Sequence, residues 1–192
     1  KILSGASAVI SEGEVNQLTA QRQIATTEDR YLDIIGAKTA ALFAAACRIS
    51  AVIAERDEAT EMALDSYGRN LGIAFQLVDD AIDYASDDAT MGKSRGDDFR
   101  DGKMTLPVIL AMARGSDTDR AFWKEAMEGR RVSDDDLAYA KTLLEGCRAL
   151  PDTFEKARLY GQRAIDALGP FPPSTAKAAL VEAVEFAIAR AY

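Results

Sequence analysis

The stretch FQLVDDAIDYASDDATMGKSRGDDFRDGKMTLP, residues 75–107, holds eight aspartates and four basic residues between Asp79 and Lys103. It opens with Gln76, Asp79, Asp80 and Asp83 at spacings of three and four residues. Residues so spaced share one face of an α-helix. Carboxylates that lie this close repel one another. The pattern therefore indicates either a solvated acidic helix face or a site for a hard divalent cation.

The residues around these aspartates favour a cation site. The same helical segment carries several large apolar side chains: Leu71, Ile73, Phe75, Leu77, Val78 and Ile82. A charge on an otherwise buried element needs a partner or a metal ion. Downstream, Lys93 and Lys103 supply point charges suited to phosphate. Residues 86–102 are rich in glycine and aspartate, and we expect them to form a loop.

Two better-known ligand loops are excluded by the residues at one or two required positions in this stretch. The GKS at 92–94 lacks the glycine that a P-loop requires, because that position is Asp87. The segment 83–94 is not an EF-hand loop, because its sixth position is Asp88 and its twelfth is Ser94.

Composition narrows the function classes. The chain has 192 residues, is 48% apolar, and carries a net charge of −8, which disfavours nucleic acid and anionic membrane surfaces as partners. It has no histidine, so the commonest general base is missing. Cys47 and Cys147 form no metal or redox motif, and we expect buried, reduced thiols in a cytoplasmic protein. We expect no transmembrane segment, since charged residues interrupt every long apolar run.

Helical periodicity covers almost the whole chain, and no period-two pattern predicts a sheet. Thr27 is the expected N-cap of a helix whose small apolar centre, residues 37–46, is predicted to be buried. Lys38 interrupts that centre, either as a snorkelling lysine or as a phosphate ligand. The other predicted helices cover residues 1–21, 56–85, 103–115, 117–128, 133–147, 152–168 and 173–190.

The motifs, taken in order, resemble the trans-type polyprenyl diphosphate synthases. The second aspartate-rich region of that family matches the following residues: Phe75, Gln76, Asp79, Asp80, Asp83, Gly92, Lys93, Gly96, Asp97, Gly102, Lys103, Thr105 and Pro107. The KT motif of the family matches Lys38 and Thr39, and its GE-xx-Q motif matches Gly13, Glu14 and Gln17. The amino-acid sequence of these motifs is most similar to that of bacterial long-chain members of the octaprenyl or decaprenyl type.

The resemblance implies a fold and an activity. The expected fold is an all-α, isoprenoid synthase-type helical bundle with a central active-site cavity. The expected activity is Mg²⁺-dependent head-to-tail condensation of isopentenyl diphosphate with an allylic diphosphate, for quinone (ubiquinone) side chains. By the same resemblance the protein is a homodimer.

The resemblance also assigns residues. Asp79, Asp80, Asp83 and Asp97 are expected to hold Mg²⁺. The allylic substrate is expected to contact Lys38, Thr39, Gln76, Lys93 and Lys103, with the three lysines as the catalytic groups. Phe75 either lines the hydrocarbon tunnel or packs in the core. The remaining acids, Asp87, Asp88, Asp98 and Asp101, are expected to be solvated loop charge.

One departure from the family pattern stands out. The first aspartate-rich motif of the family lies upstream of its KT motif, and no DDxxD occurs between Lys1 and Lys38. We therefore expect residues 1–192 to be the C-terminal portion of a single, N-terminally truncated domain that is inactive alone. The alternatives are a shorter-chain (farnesyl or geranylgeranyl) synthase, a non-catalytic subunit of a heteromeric synthase, and a terpene cyclase.

Overall fold

The computed structural model describes residues 1–85 and 96–190, and within these two ranges the chain forms helices and no strand. A π-helical turn, Gly36–Ala40, joins the second helix to the third without a break. In chain order the α-helices are α1 (Ile2–Ala20), α2 (Glu28–Ile35), α3 (Ala41–Ile53), α4 (Glu58–Ala85), α5 (Asp97–Asp101), α6 (Leu106–Arg114), α7 (Asp117–Met127), α8 (Asp134–Gly146), α9 (Ala149–Ala167) and α10 (Thr175–Ala189). The all-α prediction is confirmed.

The long helix α4 is the central element. It has 28 residues, and so is about 42 Å long at 1.5 Å per residue. The Asp57 carboxylate caps its start by accepting the Thr60 N–H at 2.9 Å. Helices α3 and α9 pack along it, and α10 adds a further contact. Leu77, Val78 and Ala81 are completely buried as a result.

Glycines allow α3 and the π-helical turn to approach α4 closely. A Cβ added to Gly68 would lie 2.4 Å from the Phe43 carbonyl oxygen. A Cβ added to Gly72 would lie 2.6 Å from the Ala40 Cα. Both distances are shorter than carbon can tolerate, so only glycine fits at this crossing.

Three apolar clusters fill the described part of the bundle. One lies between α5, α6, α7 and α8 around Trp123. The second joins α2, α4, α6 and α9 and includes Tyr31, Leu77 and Leu106. The third joins α4, α9 and α10 around Tyr67 and Leu168. The second cluster directly supports the acidic face of α4.

Helix α1 lies on the outside of the bundle, against α3 and the π-helical turn. Of its residues only Ala6 and Gly13 are buried, whereas Val15 and Leu18 are 59% and 68% exposed. The continuous helical run Glu28–Ile53 is long and apolar enough to cross a membrane, with a mean hydropathy of 1.4 over an 18-residue window. Core helices of soluble proteins share this property, so length and composition alone are weak evidence for a membrane span.

The structure corrects three predictions about local structure. Residues 97–101 were expected in a loop but form α5, bracketed by Gly96 and Gly102 in the left-handed conformation, at φ 73° and 69°. The helix expected over residues 152–168 starts earlier, because α9 begins at Ala149 and accommodates Pro151 in its first turn. The expected burial of residues 37–46 is wrong at Leu42, which is 52% exposed, and at Ala46, which is also exposed.

The close crossing of α3 and α4 predicts an asymmetric response to alanine substitution. Gly68→Ala should destabilise the protein by about 1–3 kcal/mol, because its Cβ forces the Phe43 backbone away. Gly5→Ala should instead be neutral or stabilise by about 0.5 kcal/mol, because it adds helix propensity with no atom within 4 Å of the new Cβ. Urea unfolding of both variants checks the difference. Equal stabilities would contradict the packing at Gly68.

Candidate functional site

The acidic face of α4 carries Gln76, Asp79, Asp80 and Asp83, as the spacing predicted. Adjacent positions on a helix point about 100° apart, so Asp79 and Asp80 meet different surroundings. Asp80 is 5% exposed, whereas the Asp79 side chain is 41% exposed. The acids of this motif are therefore not equivalent.

Both oxygens of the buried Asp80 carboxylate accept hydrogen bonds. The Tyr31 hydroxyl of α2 donates to Oδ2 at 2.7 Å, and the Gln76 amide donates through Nε2 to Oδ1 at 2.7 Å. At its other end the Gln76 carbonyl accepts the Thr39 hydroxyl at 2.9 Å. We call this chain of Tyr31, Asp80, Gln76 and Thr39 the carboxylate brace. It links α4 to α2 and to the π-helical turn.

Burial and neighbouring charge shift the titration of these acids. Burial, and to a smaller extent the charge of Asp98, raises the pKa of Asp80 to about 7. The hydrogen bonds from Tyr31 and Gln76 act in the opposite direction. Burial and Asp98 likewise raise the pKa of Asp83 to about 6. The pKa of Tyr31 is raised by burial and then by Asp80, so its hydroxyl stays a donor at neutral pH. The site thus holds more negative charge than its surroundings readily accommodate.

Asp79 is paired with Arg190, the residue that follows α10. The Arg190 guanidinium, just after α10, donates to Asp79 Oδ1 at 2.9 Å. The same guanidinium carbon lies 4.1 Å from the centre of the Phe75 ring, a cation–π contact. Phe75 also packs on Phe43, with ring centres 5.7 Å apart. Phe75 therefore takes part in core packing and in holding Arg190 over the acidic face.

Asp83 contacts the segment that returns at α5. The Asp98 backbone N–H donates to Asp83 Oδ2 at 3.2 Å. The Asp98 side chain is 16% exposed and accepts the Lys103 ammonium at 2.7 Å. The expectation of a solvated Asp98 is wrong, because α5 turns this carboxylate inward. Asp101 lies 3.3 Å from the same ammonium and is 55% exposed, as expected for surface charge.

Lys38 and Thr39 lie on the π-helical turn and face two different helices. The Lys38 ammonium donates to Gln17 Oε1 of α1 at 2.5 Å and lies 3.5 Å from Glu14. Thr39 faces Gln76 of α4. Single π-helical turns within α-helices occur frequently at functional sites. This one joins the GE-xx-Q residues to the acidic motif.

The remaining predicted residues are distributed as follows. Asp97 lies on α5 with a 52% exposed side chain, 3.7 Å from the Arg100 guanidinium. Gly92 and Lys93, with Asp87 and Asp88, lie outside the described residues.

The donor set fits a hard cation that is shared with a phosphate ligand. Mg²⁺ takes oxygen ligands, keeps several waters, and is usually held by one or two carboxylates together with substrate phosphates. Asp79 and Asp83 suit this role, because both carboxylates are partly exposed. Asp80 suits it less, because both its oxygens are occupied. Within 1–85 and 96–190 no three acidic, cysteine or histidine side chains converge on one point, so these ranges alone do not enclose a metal ion.

The sequence did not predict the roles of three residues in the site: Tyr31, Asp98 and Arg190. Tyr31 and Asp80 lie 49 residues apart, and Arg190 and Asp79 lie 111 apart. Tyr31 precedes Thr39 by about two helical turns on one helical run, and both face α4, so this spacing could have indicated the shared face. Nothing in the local sequence distinguishes Arg190 or the inward turn of Asp98.

Comparison with known proteins follows the same motifs. The polyprenyl synthetase family model matches residues 1–144. The octaprenyl diphosphate synthase of Haemophilus influenzae is 38% identical over the full chain. The chain spans 58% of the length of that relative.

Solved structures share the fold. The decaprenyl diphosphate synthase of Rhodobacter capsulatus superposes with a TM-score of 0.93 at 43% identity, covering 100% of this chain and 59% of that one. A polyprenyl synthase of Caulobacter crescentus, complexed with calcium and isoprenyl diphosphate, superposes with a TM-score of 0.94 at 46% identity, covering 100% of this chain and 58% of that one. An all-helical fold, an acidic face opposite the KT turn, and these matches together show that the chain belongs to the polyprenyl synthetase family.

Proposed function

We propose that the protein is a Mg²⁺-dependent prenyltransferase that condenses isopentenyl diphosphate with an allylic diphosphate, head to tail, into a long-chain polyprenyl diphosphate. The observation that carries the proposal is the Thr39–Gln76 hydrogen bond of 2.9 Å, which ties the KT turn to the acidic face of α4. A cation ligand set and a phosphate-binding lysine are thereby held on adjoining elements. The chain spans 58% of the length of its relatives, so the activity is proposed for the whole protein.

Each side chain has a proposed task. Asp79 and Asp83 hold the cation, which supplies positive charge against the departing diphosphate when bound. Lys38, Lys93 and Lys103 bind diphosphate oxygens and stabilise the charge that develops as the allylic C–O bond breaks. In the structure Lys38 contacts Gln17 and Glu14, and Lys103 contacts Asp98. A diphosphate would compete with these partners for the two ammonium groups. No histidine base is required, because the released diphosphate can accept the proton lost after condensation.

The names of the relatives support long-chain products, and the quinone side chains are proposed from the family resemblance alone. The Haemophilus influenzae protein is named an octaprenyl diphosphate synthase, and the Rhodobacter capsulatus structure is a decaprenyl diphosphate synthase. Geranylgeranyl diphosphate synthases align at lower identity, for example 29% for that of Saccharolobus solfataricus. A shorter-chain synthase remains the alternative that product sizing decides.

A cytoplasmic homodimer is the proposed assembly. The family resemblance is its support. The exposed apolar side chains of α1 and α3, including Val15, Leu18 and Leu42, are also open to the part of the relatives' length that this chain does not span. Exposed apolar patches of this kind mark interfaces in soluble proteins. Light scattering of the full-length protein gives the mass that decides between one copy and two.

The activity is tested with the full-length protein, Mg²⁺, farnesyl diphosphate and isopentenyl diphosphate. We expect chain elongation that EDTA abolishes, with products of octaprenyl to decaprenyl length. Absence of elongation by the folded protein would refute the proposal and favour a non-catalytic subunit. Products limited to geranylgeranyl length would refute only the long-chain assignment.

Asp79→Asn tests the proposed cation ligand. We expect kcat/KM to fall at least about a hundredfold, because the loss of a full negative charge weakens the cation at the developing charge. The free energy of unfolding should change by less than about 1 kcal/mol, since only a half-exposed ion pair is lost. Asp65→Asn is the control and should keep full activity, because it only weakens a 3.6 Å pair with Arg69 on the same helix, in which Asp65 is 18% exposed. Equal activity of the two variants would exclude Asp79 as a ligand.

The raised pKa of Asp80 predicts a pH dependence of stability without metal. Between its ordinary value of 3.8 and about 7, the folded state binds more protons at Asp80 than the unfolded state. Stability from this group therefore falls as pH rises through that window. Relative to Asp80→Asn, the wild type should lose roughly 2–4 kcal/mol of unfolding free energy between pH 4 and 7 in EDTA. Asp135 is exposed, so the control variant Asp135→Asn should show the same pH dependence of unfolding free energy as the wild type. Identical pH dependence in the wild type and Asp80→Asn would contradict the burial of this charge.

A further inference from the structure

We propose that Tyr31 is a positioning residue for diphosphate recognition: through Asp80 it fixes the Gln76 amide so that Gln76 can donate to a diphosphate oxygen. The inference rests on the proposed function and deepens it. Tyr31 belongs to none of the sequence motifs that define the site, and it is 3% exposed, so it acts only through its neighbours.

The first step is the orientation of the Asp80 carboxylate. The Tyr31 hydroxyl holds Oδ2 at 2.7 Å from the α2 side, which leaves Oδ1 directed at the Gln76 amide nitrogen, also at 2.7 Å. A carboxylate held at one oxygen cannot rotate freely about its terminal torsion. Tyr31 therefore determines which acceptor Gln76 meets.

The second step is the orientation of Gln76. Its amide nitrogen faces Asp80, and its carbonyl oxygen accepts the Thr39 hydroxyl at 2.9 Å. The reversed amide would place the carbonyl oxygen against the carboxylate, which is repulsive. The amide nitrogen carries two hydrogens, and Asp80 accepts one of them. The second hydrogen is the donor that Gln76 offers to a diphosphate, an acceptor-only ligand.

The third step separates positioning from mere stability. Tyr67 provides a matched comparison, because it is also a buried tyrosine, 1% exposed, whose hydroxyl bridges two helices. Its hydroxyl donates at 2.8 Å to the backbone carbonyl of Leu180 and so has no side chain of the site as its partner. Loss of either hydroxyl removes one hydrogen bond, but only Tyr31 is connected to the brace.

The experiment compares Tyr31→Phe with Tyr67→Phe in the full-length protein. Binding of inorganic pyrophosphate in the presence of Mg²⁺ is measured by calorimetry, together with the melting temperature. We expect Tyr31→Phe to weaken pyrophosphate binding about tenfold, as loss of a supporting partner behind a ligand does. Tyr67→Phe should bind like the wild type at a similar loss of melting temperature. The KM for the allylic diphosphate should rise with the Kd, while kcat changes less.

A double-mutant cycle tests the route of the effect. If Tyr31 acts through Gln76, then Tyr31→Phe should have no further effect on pyrophosphate affinity in a Gln76→Leu background. Additive losses would overturn the route through Gln76.

The remaining outcomes are also decisive. Equal pyrophosphate affinity of Tyr31→Phe and Tyr67→Phe would overturn the inference, and so would failure of Tyr31→Phe to fold, since the hydroxyl would then support the fold. A wild type that binds pyrophosphate but does not elongate a prenyl chain would refute the proposed function and leave the positioning of Gln76 standing. A wild type that does not bind pyrophosphate with Mg²⁺ would refute both.

Discussion

The bundle depends on the close contact of α4 with α3 and the π-helical turn. Gly68 and Gly72 present bare backbone to Phe43 and Ala40, so these helices meet without intervening side chains. Interiors are packed as densely as organic crystals, and a contact of this kind permits little relative sliding. The register between Thr39 and Gln76, on which the candidate site is built, is set by this crossing together with their hydrogen bond.

Electrostatics acts within that rigid frame. Burial raises the pKa of Asp80 and of Asp83, and the charge of Asp98 adds to both shifts. Such a cluster is costly to keep ionised without a cation. Arg190 and Lys103 supply positive charge to Asp79 and Asp98 in the structure. We regard these two cations as the partners that a metal ion and a diphosphate would displace or share.

The sequence predicted most of the fold and only part of the site, for physical reasons. Helical periodicity is a local pattern, so α1, α4 and α10 could be predicted nearly to their ends, although apolar Val15 and Leu18 of α1 are exposed. The spacing of Asp79, Asp80 and Asp83 identifies a shared helix, but not that one carboxylate is buried while its neighbour is half exposed. That distinction comes from α2, which supplies Tyr31 from 49 residues away. Arg190 and the inward turn of Asp98 likewise depend on tertiary contacts, which leave no local pattern.

Gly13 gives the outer helix α1 a mechanical connection to the site. A Cβ at this position would lie 2.6 Å from the Lys38 backbone nitrogen, so α1 rests on the turn that carries the lysine. No side chain lies between the two backbones to absorb a displacement. The opposite side of α1 is where Val15 and Leu18 are exposed. A displacement of α1 would therefore pass directly to the backbone that carries Lys38.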